Sequence, residues 1–146
     1  MALDRINQLD WLNTLFSQVQ IPQTTLAECT FQPELLDAQR VQRAVTNGWL
    51  TLCQDVDFDA PGLQAGERAA IGCALQIRAA LLVDDSAARL VAAGLSIPVV
   101  GTLGLLIRAK HIGLVGAIAP VIEQLRAGGH YLGARSVIRA LSLAGE

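Results

Sequence analysis

Leu81-Leu82-Val83-Asp84-Asp85 decides the fold class. Three apolar residues make a short strand, two carboxylates close it, and Ser86–Ala93 continues with helical spacing. Downstream, Ile97–Val100 reads as a second strand, followed by a helix over Leu103–Ile112. Strand, helix and strand at this spacing imply parallel pairing, because parallel neighbours need a crossover connection. Upstream, Gly66-Glu67-Arg68-Ala69-Ala70 opens an alanine-rich helix predicted from Gln64 to Ala79. One carboxylate thus sits on a helix and two at the C-terminal edge of a sheet, where open α/β sheets bind ligands. Clustered acidic oxygens at that edge suit a hard divalent cation such as Mg²⁺.

The N-terminal part adds a helix from near Leu3 through Phe16 and a short strand at Val19 and Ile21. Pro22 opens a helix to Cys29, since proline is favoured at the first helical position. A further helix carries Leu35, Leu36, Val41, Ala44 and Val45 and ends at Asn47-Gly48, before a strand at Trp49–Cys53. Helices at Ala117–Ala127 and Ala134–Leu143 close the chain. The reading is α/β, one domain over residues 1–146, with helices on both faces of a mainly parallel sheet. Strands at Leu50–Cys53, Leu81–Val83 and Pro98–Val100 are expected to share that sheet.

Composition narrows the class. Hydrophobic residues are 52% of the 146 and aromatics only 4%, so the core must be aliphatic. The longest apolar run, Leu95–Ile107, contains Pro98 and falls short of the roughly 18 residues a spanning helix needs. No membrane association and no export leader are expected, which places the protein in the cytoplasm. Cys29, Cys53 and Cys73 form no CxxC pair and read as reduced thiols. Residues 1–60 carry three basic and eight acidic side chains, a balance of −5. Residues 61–146 carry eight and five, a balance of +3. Ten of the eleven basic residues are Arg, the side chain best shaped for phosphate.

Each chemical candidate has an ordinary alternative. Glu67 heads a stripe of Ala70, Ile71, Ala74 and Arg78 and should face the sheet edge, yet an acid in a first turn also stabilises the helix dipole. One of Asp84 and Asp85 can cap the helix at Ser86, but one cap does not need two aspartates. Adjacent carboxylates repel, which a cation or a positive neighbour relieves. Gly101-Thr102-Leu103-Gly104 offers exposed amides for a phosphate, or simply a turn with Thr102 as cap. Arg108 and Lys110 lie further along that helix, facing nucleic-acid backbone or solvent. Asp55, Asp57 and Asp59 imitate a calcium loop, but Ala60 and Gly66 occupy its required Gly and Glu positions, leaving a solvated acidic loop.

These segments together resemble the uncharacterised bacterial branch of the PIN-domain proteins, relatives of the toxins of toxin–antitoxin pairs. The resemblance is carried by Gly66–Ile71, Ala80–Asp85, Pro98–Gly104, Leu106–Lys110 with Gly113-Leu114, and Leu141–Glu146. It implies a three-layer α/β fold and a metal-dependent ribonuclease, dimeric and partnered by an antitoxin. It implies Glu67, Asp85 and Asp84 as catalytic and metal-holding acids for Mg²⁺ or Mn²⁺, with the cation activating water for in-line attack on RNA. Thr102, Arg108 and Lys110 would contact the substrate. Members of the family open with a strand ending in a motif aspartate, and here Ala2-Leu3-Asp4-Arg5-Ile6 matches the segment after it. The resemblance therefore implies an N-terminally truncated member with weak cleavage or none. The alternatives are a non-catalytic interaction module of the same fold and a small phosphate-binding α/β protein.

Overall fold

The computed structural model describes residues 7–56 and 58–146. The chain falls into two compact units: Ser17–Val100, and the residues up to Phe16 together with Gly101–Glu146. The first residues of the helix expected from Leu3, with Asp4, lie outside the described residues, as does Asp57.

The Ser17–Val100 unit holds all the described strands. Strand β1 (Val19–Pro22) leads into helices α1 (Gln23–Cys29) and α2 (Leu36–Thr46) and then strand β2 (Leu50–Cys53). Helix α3 (Ala65–Ile77), strand β3 (Leu81–Leu82), helix α4 (Ser86–Gly94) and strand β4 (Val99–Val100) follow. The two strands of each pair run parallel, β1 against β2 with Val19 opposite Leu50, and β3 against β4 with Leu81 opposite Val99. Backbone N–H groups of Leu81 and Val83 donate to Pro98 O at 2.8 Å and Val100 O at 3.0 Å.

Parallel α/β pairing was legible in the sequence; a single shared ladder was not observed. Among the described residues, β1–β2 and β3–β4 are separate two-stranded sheets, so β2 does not join β3 and β4. Helix α3, rather than a strand, touches both β1 and β3.

Burial explains the register. Ala60, Leu63, Ile71, Ala74, Leu81, Ala88, Ala92 and Ile97 form one apolar cluster that ties α3, β3, α4 and the segment before α3 together. Ile71 is fully buried, which contributes on the order of 2–3 kcal/mol of hydrophobic stabilisation. Small residues do the rest: Ala88 and Ala92 are 0% exposed and let α4 pack closely. At Gly72 a Cβ would meet Val56 O at 2.6 Å, so glycine there admits the chain after β2 onto α3.

The second unit is helical in its described part. Its helices are Trp11–Leu15 (α5 here), Thr102–His111 (α6), Ala119–Ala127 (α7) and Ala134–Ala144 (α8). Helix α6 packs on both α5 and α8. Leu12, Leu105, Leu106, Ile118, Ile122 and Leu125 fill its interior. Among the described residues no helix is long and apolar enough to cross a membrane.

Candidate functional site

Helix α3 begins as its sequence dictates. Gln64 and Glu67 form a capping box, in which the Glu67 Oε2 accepts the Gln64 N–H at 2.9 Å. Glu67 is half-buried, and Ile71 and Ala74 on its face are buried as its stripe predicted. The stripe ends at Arg78, which adopts a left-handed conformation (φ 53°) as the helix terminates.

A second acid, not singled out in the sequence, meets this turn. Glu28 of α1 accepts the Gly66 N–H through Oε1 at 3.0 Å, and the Thr25 hydroxyl donates to Gly66 O at 3.1 Å. Helix α1 thus grips residue 66 by both its backbone groups. Only glycine permits this approach, because a Cβ at position 66 would overlap the Glu28 carboxylate. Glu28 therefore brings a second carboxylate to the turn that carries Glu67. Its signal in sequence was slight: an acid six residues after Pro22 on a helix with no other charge.

Asp55 has a related role at the other end of α1. Its carboxylate accepts the Thr24 N–H at 3.2 and 3.1 Å and the Thr24 hydroxyl at 2.5 Å. The expected solvated loop is therefore tethered, with Asp55 supplying the N-terminal cap that α1's own residues do not provide.

Asp85 is the aspartate that caps α4, its Oδ1 accepting the Ala88 N–H at 2.8 Å. Asp84 is exposed beside it. The Arg89 guanidinium donates to Val83 O at 3.2 Å, one residue before Asp84, and brings a positive neighbour to the pair.

The oxygen donors of Glu28, Glu67, Asp84 and Asp85 are of the type that holds Mg²⁺ or Mn²⁺. Among the described residues no group of three or more acids, histidines or cysteines stands close enough to hold a metal. Magnesium commonly takes one or two carboxylates, with waters and substrate phosphates completing its shell, and by donor type Glu28 and Glu67 suit that cation.

The expected substrate contacts lie in the other unit and differ among themselves. Gly101, not Thr102, is the N-cap of α6, and Thr102 is the first helical residue, 3% exposed. Arg108 is exposed and lies over the Phe16 ring, 4.9 Å from its centroid, a cation–π arrangement. Lys110 binds Oε1 of Glu146 at 2.8 Å. The same carboxylate accepts the N–H groups of Ile118 at 2.7 Å and Ala119 at 3.0 Å, at the start of α7. The Lys110 hydrogen bond, then those two amides, hold the Glu146 carboxyl down to about 2.

The cysteines also depart from expectation. Cys53 at the end of β2 and Cys73 in α3 are disulfide-bonded, 20 residues apart in sequence, and Cys29 keeps its thiol. The fold brings the Cα atoms of these two cysteines within 6.8 Å, a proximity that spacing alone does not reveal.

Comparison with known families gives one match: a family model described as a PIN domain covers residues 1–146. No curated protein and no solved structure matches the chain.

Proposed function

The chain belongs to the PIN-domain family, and on that premise we propose that it is a metal-dependent ribonuclease. The observation that supports this most is that Glu28 and Glu67, from two helices, both accept amide N–H groups at the start of α3, those of Gly66 and Gln64. When bound there, Mg²⁺ or Mn²⁺ would neutralise charge on a phosphodiester and make water a better nucleophile. The protein's own part is positional. Thr25 and Glu28 fix residue 66, the Gln64 amide orients Glu67, and Asp84 and Asp85 add negative charge at the end of β3. Arg108, braced on Phe16, is our candidate for a phosphate contact, whereas Lys110 is engaged by Glu146. Family membership further supports a single PIN-like domain acting as the homodimeric, cytoplasmic toxin of a toxin–antitoxin pair.

A second reading is a non-catalytic interaction module. It is favoured by the structural tasks of Glu67 and Asp85, both of which cap helices. Incubation with single-stranded and structured RNA in Mn²⁺ or Mg²⁺ separates the two. Slow cleavage that chelation abolishes and Glu67→Gln lowers at least about tenfold supports the nuclease. Gln preserves the capping box, so the loss would report charge rather than folding. An inert chain with both metals supports the interaction module.

A further inference from the structure

The Cys53–Cys73 bridge closes a ring that contains Asp55, Gly66 and Glu67. Helix α1 lies outside the ring and is bonded to it at two places, Thr24 to Asp55, and Thr25 and Glu28 to Gly66. The chain after Cys53 also presses on α3 one residue before Cys73, where Val56 O approaches Gly72. The bridge, the Gly72 contact and the α1 bonds therefore act on one segment. Ala60 and Leu63 anchor its middle in the core, while Gln54, Asp55, Asp59 and Pro61 are exposed.

We propose that Cys53–Cys73 is a reversible thiol–disulfide site that controls the acid-bearing segment 54–67. With the bridge closed, the segment cannot leave α3 without breaking a covalent bond. With it open, the described residues of the segment are held by noncovalent contacts alone, the Asp55 and Gly66 hydrogen bonds, the Arg68 guanidinium on Leu63 O at 2.6 Å and the apolar anchors, and these allow local opening. The reductant is a dithiol. One of its thiolates attacks a bridge sulfur and the departing cysteine thiolate takes a proton; the second thiol then attacks the reagent's sulfur in the mixed disulfide and displaces the other cysteine, which is protonated in turn. Two electrons and two protons pass to the chain, which gains two thiols, and the dithiol becomes a disulfide. Both cysteines are buried, Cys53 9% and Cys73 4% exposed, so attack needs a local fluctuation that bares a sulfur, smaller than the release of the segment that reduction then permits.

This inference extends the nuclease reading to its regulation, and rests on that reading only for the activity arm of the test. The whole chain is prepared oxidised and after treatment with dithiothreitol. Thiols are counted after denaturation, and amide hydrogen exchange is followed over 54–70. The oxidised chain should show one thiol and the reduced chain three. Exchange in 54–64 should rise roughly tenfold on reduction, since ring closure restricts the opened chain. Cys29→Ser should respond as wild type, and Cys53→Ser/Cys73→Ser should match the reduced chain and ignore the reagent. Three thiols in the oxidised chain, or exchange unchanged by reduction, would overturn the proposal. Mn²⁺-dependent RNA cleavage is measured in both states. Faster cleavage by the oxidised chain supports the proposal, and equal cleavage overturns the control of activity. Exchange that rises without cleavage in either state supports the switch and removes the nuclease reading alone.

Discussion

The Glu28 carboxylate accepts the Gly66 N–H at 3.0 Å, across 38 residues of sequence. This bond places an acid of one helix at the first turn of another, the turn that carries Glu67. It makes a glycine and a glutamate, neither of them chemically informative alone, into one device.

Replacing the two buried glycines of α3 should have opposite consequences. At Gly66 the obstructing atoms are the end of the Glu28 side chain, which can swing away. Gly66→Ala should then change stability by no more than about 1 kcal/mol, because a lost hydrogen bond is offset by better helix propensity. Mn²⁺ affinity should nevertheless fall about tenfold as Glu28 leaves. At Gly72 the obstruction is Val56 backbone, so Gly72→Ala should destabilise by about 1–3 kcal/mol. Urea unfolding of both variants, with m-values compared, checks the contrast; equal losses would refute it.

Asp85 separates capping from chemistry. Asn can accept the Ala88 N–H as Asp does, so Asp85→Asn should leave stability nearly unchanged. Asp85→Ala should cost about 1 kcal/mol. If Asp85 also serves a cation, both variants should lose RNA cleavage. Full cleavage by Asp85→Asn would restrict this residue to its cap.

Much of this arrangement was legible beforehand, and the boundary is instructive. The strand at Leu81, the cap at Asp84 or Asp85 and the helix headed by Glu67 are local patterns, set by residues within a few positions of one another. Glu28 with Gly66, Asp55 with Thr24, and Cys53 with Cys73 are tertiary pairings, and no spacing rule relates their members. The division of the strands into two ladders is likewise a matter of which backbones lie adjacent. Apolar strand pattern specifies burial but not neighbours.

Acid should weaken the second unit through Glu146. Its carboxyl has a folded-state value of about 2 against an ordinary 4.5, so the ionised form is favoured by folding. The stabilisation is fully present above about pH 4.5 and disappears as pH falls toward 2. Glu146→Gln should therefore flatten the fall in thermal midpoint over that window and leave the profile above it parallel to wild type. An unchanged acid limb in the variant would show that Lys110, Ile118 and Ala119 gain little from this carboxylate.

Binding of Mn²⁺ at the start of α3 can be measured without substrate or turnover. The free ion is followed by electron paramagnetic resonance during titration of the full chain and of Glu28→Gln and Glu67→Gln. We expect a site from which Mg²⁺ displaces Mn²⁺ and that each substitution weakens about tenfold or more, with folding intact by circular dichroism. Binding that neither substitution alters, or no displaceable Mn²⁺ at all, would contradict that expectation.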